Sequence, residues 1–213
     1  MRFFVGLDIG QAQDYTAMSV LERIVAEDKA SARSADDFPE AEKAVYHLRH
    51  IERAGLGTPY PRIVARVKEL MESELLKGDS FLVVDATGVG APVVDLLRNE
   101  GLNPVPVIIT SGDSVTRGNW SYHVPKRDLV NVLQVLLQTG RLKIAQGVAE
   151  TRTLVNELLN FKVRINLRTA HDSYESWREG AHDDIVLSVA LACWFGEIYT
   201  PPRPLWARIT IIG

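Results

Sequence analysis

Apolar positions along the chain switch between two spacings, and the switches mark its elements. Phe3 to Leu7 is a short β-rich run, and Thr16 to Ile24 alternates apolar and polar residues after a polar turn at Gly10 to Asp14. Strand side chains point to opposite faces in turn, so the two runs read as a hairpin. Val25 to Glu42 is dense in Ala, Asp, Glu, Lys and Ser and reads as a surface excursion before a third strand, Ala44 to Glu52. After Pro59 and Pro61 the period becomes helical, with Ile63, Val64, Val67, Leu70, Met71, Leu75 and Leu76 on one stripe up to Gly78.

Phe81 to Val84 is apolar throughout, the pattern of a strand covered on both faces. Asp85 and a glycine-rich turn follow, and Pro92 suits the first turn of a helix from Ala91 to Glu100 that Gly101 stops. Pro104 to Ile109 is a further strand, so the strand, helix, strand order predicts a parallel pair with a right-handed crossover. Thr110 to Tyr122 reads as a polar loop with Trp120 exposed. Pro125 opens a helix with the stripe Leu129, Val130, Val132, Leu133, Leu136 and Leu137, ended at Gly140. Arg141 to Ile144 predicts a short strand, Val148 to Leu159 a helix, Phe161 to Asn166 a strand and Asp183 to Ile198 a long apolar helix. The fold class is α/β, with a central mixed sheet of five or more strands flanked by helices. One domain is expected over residues 1–200, with a proline-rich tail at 201–213 serving as linker or docking segment.

At 213 residues, 46% hydrophobic and 24% charged, the chain can bury one generous core. It has no apolar stretch long enough for a bilayer and no signal-like N-terminus, so a cytoplasmic protein without membrane contact is expected. Its single cysteine, Cys193, rules out an internal disulfide and a cysteine-built zinc site, and it reads as core filler. A net charge of −3 is not that of a protein that coats nucleic acid non-specifically, so any such binding falls to local basic patches. Candidates are Arg49 with Arg53, Arg62 with Arg66 and Lys68, Lys126 with Arg127, Arg141 with Lys143, and Arg164 with Arg168. Lys126 and Arg127 are favoured for their place in the motif order below.

The candidate chemistry lies in the acids. Asp8 and Asp85 each end an apolar strand, and Asp183 with Asp184 opens the last helix. A carboxylate at the end of a core strand is costly to desolvate, and a divalent cation is its usual compensator. Sites in open α/β sheets gather at the carboxyl ends of the strands, where Asp8 and Asp85 fall. Two ions about 4 Å apart can activate water on one side of a phosphodiester and stabilise the leaving oxygen on the other, with Asp8 the natural bridge. Oxygen donors suit Mg2+ or Mn2+. Helical neighbours point about 100° apart, so Asp183 is favoured as ligand. Asp184 is left to a second metal, to water, or to capping the helix. His182 either supports the ligands from behind or lies on the surface. The bland readings are a turn aspartate at Asp8 and a helix cap at Asp85. Gly88-Val-Gly90 is a poor dinucleotide fingerprint, because Val93 stands where the third glycine belongs, and no P-loop motif occurs.

Gly-Leu-Asp-Ile-Gly at 6–10, Val-Val-Asp-Ala-Thr-Gly-Val-Gly at 83–90, His-Val-Pro-Lys-Arg-Asp-Leu-Val at 123–130 and Gly-Ala-His-Asp-Asp-Ile-Val at 180–186 follow in that order. This succession resembles the nuclease domain of large terminase subunits from tailed bacteriophages. The resemblance implies a ribonuclease H-like fold and metal-dependent cleavage of double-stranded DNA as a viral genome is packaged, in the cytoplasm of the bacterial host. It implies that Asp8, Asp85 and Asp183 are catalytic metal-binding acids, with Asp184 a possible fourth, and that two Mg2+ or Mn2+ ions are the cofactors. Partners implied are DNA, a packaging ATPase domain, and portal and small terminase proteins. Alternatives are a junction-cutting resolvase of the same fold, and a non-catalytic docking module using Trp206, Ile209, Ile211 and Ile212. The glycine-flanked Asp8 also resembles the opening of sugar kinases and actin-like ATPases, but one domain of this size is too little for that architecture.

Overall fold

The computed structural model describes residues 2–10, 14–25, 44–160 and 183–199. Among them the elements run β1 (Arg2–Asp8), β2 (Ala17–Ile24), β3 (Val45–Arg53), α1 (Tyr60–Met71), β4 (Ser80–Asp85), α2 (Gly90–Asn99), β5 (Val105–Thr110), β6 (Thr116–Arg117), β7 (Tyr122–Pro125), α3 (Lys126–Gln138), β8 (Leu142–Ile144), α4 (Thr151–Asn160) and α5 (Asp184–Ile198). The strands form one sheet in the order β6-β7-β5-β4-β1-β2-β3-β8. β1, β2 and β3 pair antiparallel as a meander, whereas β4 joins the other side of β1 in parallel, followed by parallel β5 and β7. The expected hairpin, the parallel β4 and β5 pair, and a mixed sheet of more than five strands are all present. No helix among the described residues is long and apolar enough to cross a membrane.

Strand alternation sorts the core into two layers. Phe3, Val5, Leu7 and Ile9 join Leu82 and Val84 against Ile63, Val64, Val67, Val93, Val94 and Leu97 of α1 and α2. Phe4 and Val83 face the other way, into a core built with α3, α4 and α5. By the same parity Gly6, Asp8 and Asp85 belong to the α5 face. Residues 184 to 196 of α5 are all buried, so it is the central helix of its layer, apolar on every side as such a helix must be.

α5 runs against β1 in a fixed register. Phe4 packs on Phe195 and Tyr199, with ring centroids 6.1 and 5.8 Å away. Two residues on, a Cβ built on Gly6 would stand 1.8 Å from the Ser188 carbonyl oxygen, so only glycine lets the helix rest on the strand backbone. From Gly6 to Asp8 is about 6.6 Å of strand. From Ser188 back to Asp184 is about 6 Å of helix. The match of those steps carries the N-terminus of α5 to the end of β1.

Four details depart from the sequence reading. Thr110 to Tyr122 is not loop throughout: β6 lies inside it, and β7 begins at its end and extends the parallel part of the sheet beside β5. β6 is two residues long, both exposed, and β7 is four residues long, too few to reveal a period. α1 ends at Met71, where Ser73 N–H turns back to Leu70 C=O, and Leu75 and Leu76 follow in separate turns, Leu75 outward and Leu76 inward. Leu137 of α3 is exposed, leaving Leu129, Leu133 and Leu136 as the buried stripe. α4 starts three residues later than expected, because Glu150 has a left-handed backbone with φ 59°. Most of the Val25 to Glu42 excursion, the Phe161 to Asn166 strand, His182, Arg164, Arg168 and the 201–213 tail lie outside the described residues.

Gly6→Ala should lower stability by at least about 2 kcal/mol, since the new methyl meets backbone and not a yielding side chain. Urea denaturation reads this directly. An unchanged midpoint would mean that α5 does not rest on β1.

Candidate active site

β1 and β4 are adjacent and parallel, with Leu7 opposite Val84, so the acids that end them emerge side by side. Asp85 is fixed by its own turn: Thr87 N–H donates to Asp85 Oδ1 at 2.8 Å, and Thr87 Oγ1 accepts Ile109 N–H at 2.8 Å. A Cβ on Gly90 would stand 1.9 Å from the Asp85 carbonyl oxygen, so this glycine lets α2 start directly against the end of β4. The residue before α2 is Val89 and no side chain caps that helix, which removes the cap reading of Asp85.

α5 closes the third side. Asp183 precedes it without a side-chain capping bond, and instead Lys126 Nζ donates to Asp183 Oδ2 at 3.0 Å. Asp184, in the first turn, is 5% exposed. The amide of Val186 donates to Glu157 Oε2 at 3.0 Å, and Glu157 Oε1 lies 3.6 Å from Arg53 Nη1.

These groups share one electrostatic environment. Asp8 is 6% exposed. Its pKa is raised well above the ordinary carboxylate value by burial first, then by the fields of Asp85, Asp184 and Asp183, with Lys126 pulling the other way. The effect of Asp184 exceeds that of Asp183, although the sequence reading favours Asp183 as ligand. Burial also raises Asp85, against the opposing effects of its Thr87 bonds, a hydrogen bond shared with Asp8, and Lys126. Glu157 is pushed up to about 7, chiefly by burial; the Val186 amide and Arg53 oppose this, and Asp184 and Asp183 add to it.

Asp8, Asp85, Asp183 and Asp184 are thus brought into mutual range, and two further residues join them that the sequence reading missed. Glu157 falls on the inner side of α4, three residues after buried Leu154. A lone acid on an apolar stripe was the available signal. Arg53, noted only as half of a basic patch, ends β3 with its guanidinium 3.9 Å from the centroid of the Tyr15 ring. Of the two residues expected to bind DNA, Lys126 turns toward the acids. Arg127 points outward and pairs with Asp113 at 2.7 Å. Other basic candidates are held in ion pairs too: Arg49 with Glu22, Arg66 with Glu52 and Glu69, Lys68 with Glu100, Arg141 with Glu197.

Among the described residues no three His, Cys, Asp or Glu side chains stand close enough, as they are oriented, to enclose an ion. The donor set nonetheless fits a hard divalent cation: carboxylate oxygens only, desolvated, mutually repelling, with Lys126 the cation acting on both strand-end acids. A cavity of about 390 Å³ between α1 and the ends of β1 to β3, with Leu7, Met18, Ile63 and Val67 in its wall, opens on the opposite face of the sheet.

The chain is 28% identical over 191 residues to the large terminase subunits of Thermus virus P23-45 and Thermus phage G20c. In each case the match covers 89% of this chain but 31% of the relative, so the chain spans about a third of their length. Among solved structures, the large terminase nuclease from thermophilic phage G20c superposes with a TM-score of 0.54 at 25% identity, covering 90% of this chain and 80% of that one. In sequence and in fold the chain is similar to terminase nuclease domains. The manganese-soaked human cytomegalovirus terminase nuclease domain, at TM-score 0.50 and 11% identity over 91% of this chain and 84% of that one, shares the fold. No protein-family profile matches the chain. The ribonuclease H-like architecture expected of a terminase nuclease is therefore present, with the four aspartates at the carboxyl ends of its parallel strands and the facing helix end.

Raised carboxyl pKa values carry a sign. Folded-state Asp8 holds its proton more tightly than the unfolded chain does, so its contribution to stability is fully present below the unfolded carboxylate pKa and is lost as pH rises through the folded one. Asp8→Asn removes that titration. With chelator present, its Tm should match the wild type at about pH 4 and exceed it by several degrees at about pH 8. A difference that does not widen with pH would mean Asp8 is not held protonated by its surroundings.

Proposed function

We propose that the chain is a metal-dependent endonuclease that hydrolyses double-stranded DNA when a viral genome is packaged. The observation that carries this reading is the convergence of Asp8, Asp85, Asp183 and Asp184 in one electrostatic environment, on a fold shared with terminase nucleases. Asp8, Asp85 and Asp184 would hold Mg2+ or Mn2+, with Asp183 beside them under the control of Lys126. A pair of such ions supplies Lewis-acid stabilisation of a phosphodiester and lowers the pKa of the attacking water.

The chain's own residues prepare that chemistry. Burial strips water from Asp8, so its carboxylate gains more from a cation than an exposed acid does. The Asp85 turn, pinned by Thr87 and Ile109, fixes the second acid, and the rigid end of α5 presents the other two. Lys126 pairs with Asp183 and offsets repulsion between the acids until DNA and metal arrive. Arg127, 43% exposed and one residue along α3, is the better placed of the two to meet phosphate. A packaging ATPase domain, portal and small terminase proteins are the partners this reading implies, in the cytoplasm of an infected bacterial cell.

Purified chain incubated with supercoiled plasmid and Mn2+ or Mg2+ should produce nicked circles. Asp8→Ala or Asp85→Ala should reduce the rate by about a hundredfold or more. No nicking with either metal, or undiminished nicking by both variants, would overturn the proposal.

Lys126 and Arg127 separate by salt dependence. Arg127→Ala should flatten the slope of log affinity for duplex DNA against log salt by roughly 1, as loss of one phosphate contact does. Lys126→Ala should leave that slope unchanged. Equal slope changes would place both on the DNA.

A further inference from the structure

A helix that begins with an aspartate ordinarily spends that side chain on its own amides, at the second or third helical residue. Asp183 does not: it makes no capping bond, and its carboxylate meets Lys126. The amide it would have capped, that of Val186, is taken by Glu157 Oε2 at 3.0 Å, from another helix and 29 positions away. Glu157 is 6% exposed, and a buried acid among other acids is unfavourable unless something holds it. Two features do. The positive end of α5 faces one oxygen, and Arg53 lies 3.6 Å from the other, itself stacked on Tyr15. Tyr15, Arg53, Glu157 and the first turn of α5 therefore form a continuous brace from the entry of β2 to the acids.

We infer that Glu157 is a positioning residue for the acids of α5: by capping that helix from outside, it releases Asp183 for the site and holds Asp184 beside Asp8. The inference rests on the nuclease reading above. Glu157 acts through the Val186 amide, so what it must supply is an acceptor oxygen at the right reach, and glutamine supplies one as well.

The test compares the full chain with Glu157→Ala and Glu157→Gln, each below its own Tm measured by circular dichroism. Mn2+ binding is measured by calorimetry without DNA, and kcat and KM by plasmid nicking. Glu157→Ala should lose about 10- to 100-fold in Mn2+ affinity and in kcat, with KM for plasmid nearly unchanged. Glu157→Gln should stay within roughly threefold of wild type, because its carbonyl rescues the cap. If Glu157→Ala does not fold, Glu157→Asp, which withdraws the acceptor by one methylene, carries the same expected loss. An alanine variant equal to wild type overturns the inference alone. So does a glutamine variant as defective as alanine, since the charge and not the acceptor would then be what the site uses. A wild-type chain that neither binds Mn2+ nor nicks plasmid overturns the nuclease reading and this inference together.

Discussion

The contact between α5 and the bare backbone of β1 at Gly6 is the constraint on which the rest depends. A helix laid on a sheet normally stands off by the thickness of a side-chain layer, about 10 Å. Removing one Cβ lets this helix settle until Ser188 touches the strand, and its register follows from the aromatic contacts of Phe4 with Phe195 and Tyr199. Once those two points are fixed, the helix end has only one place to go. Asp184 arrives beside Asp8 because strand and helix cover nearly equal distances from Gly6 and Ser188.

That placement works against folding. Four carboxylates within range of each other, two of them nearly buried, favour separation, and the apolar packing of α5 overrides them. Lys126 relieves part of the repulsion on Asp183, Asp85 and Asp8, and Thr87 stabilises Asp85 through its amide. Strain of this kind concentrates at functional sites, where local rules yield to what the site must do. The core of α5 is what makes the concession tolerable: a helix buried on all sides gains enough from its apolar surface to carry two acids into an unfavourable field.

How much of this could be read in advance differs by element. The strands ending in Asp8 and Asp85 were legible because continuous apolar runs announce buried strands, and the parallel relation of β4 and β5 follows from the helix between them. The four aspartates of the candidate site were legible because they stand where apolar strands end and where the last apolar helix begins. Glu157 was not, since its partner amide lies 29 positions away and a single acid within an amphipathic helix usually faces water. For Lys126 the sequence gives its position on the first turn of α3, while only the fold shows that its ammonium meets Asp183. β7 escaped because a four-residue strand containing His123 and Pro125 carries no period, and its pairing with β5 is imposed by the sheet.

The two neighbouring acids of α5 then have separate explanations, which a shared role would not supply. One hundred degrees of helical rotation gives them different neighbours. Asp183 is a quarter exposed and faces Lys126, whereas Asp184 is buried and acts more strongly on Asp8. On the proposed reading Asp184 would serve a cation together with Asp8, while Asp183 is paired with Lys126 and makes no capping bond to its own helix. The external cap from Glu157 is what allows that pairing, because a side chain committed to its own helix amides could not meet Lys126 without fraying the turn that carries Asp184.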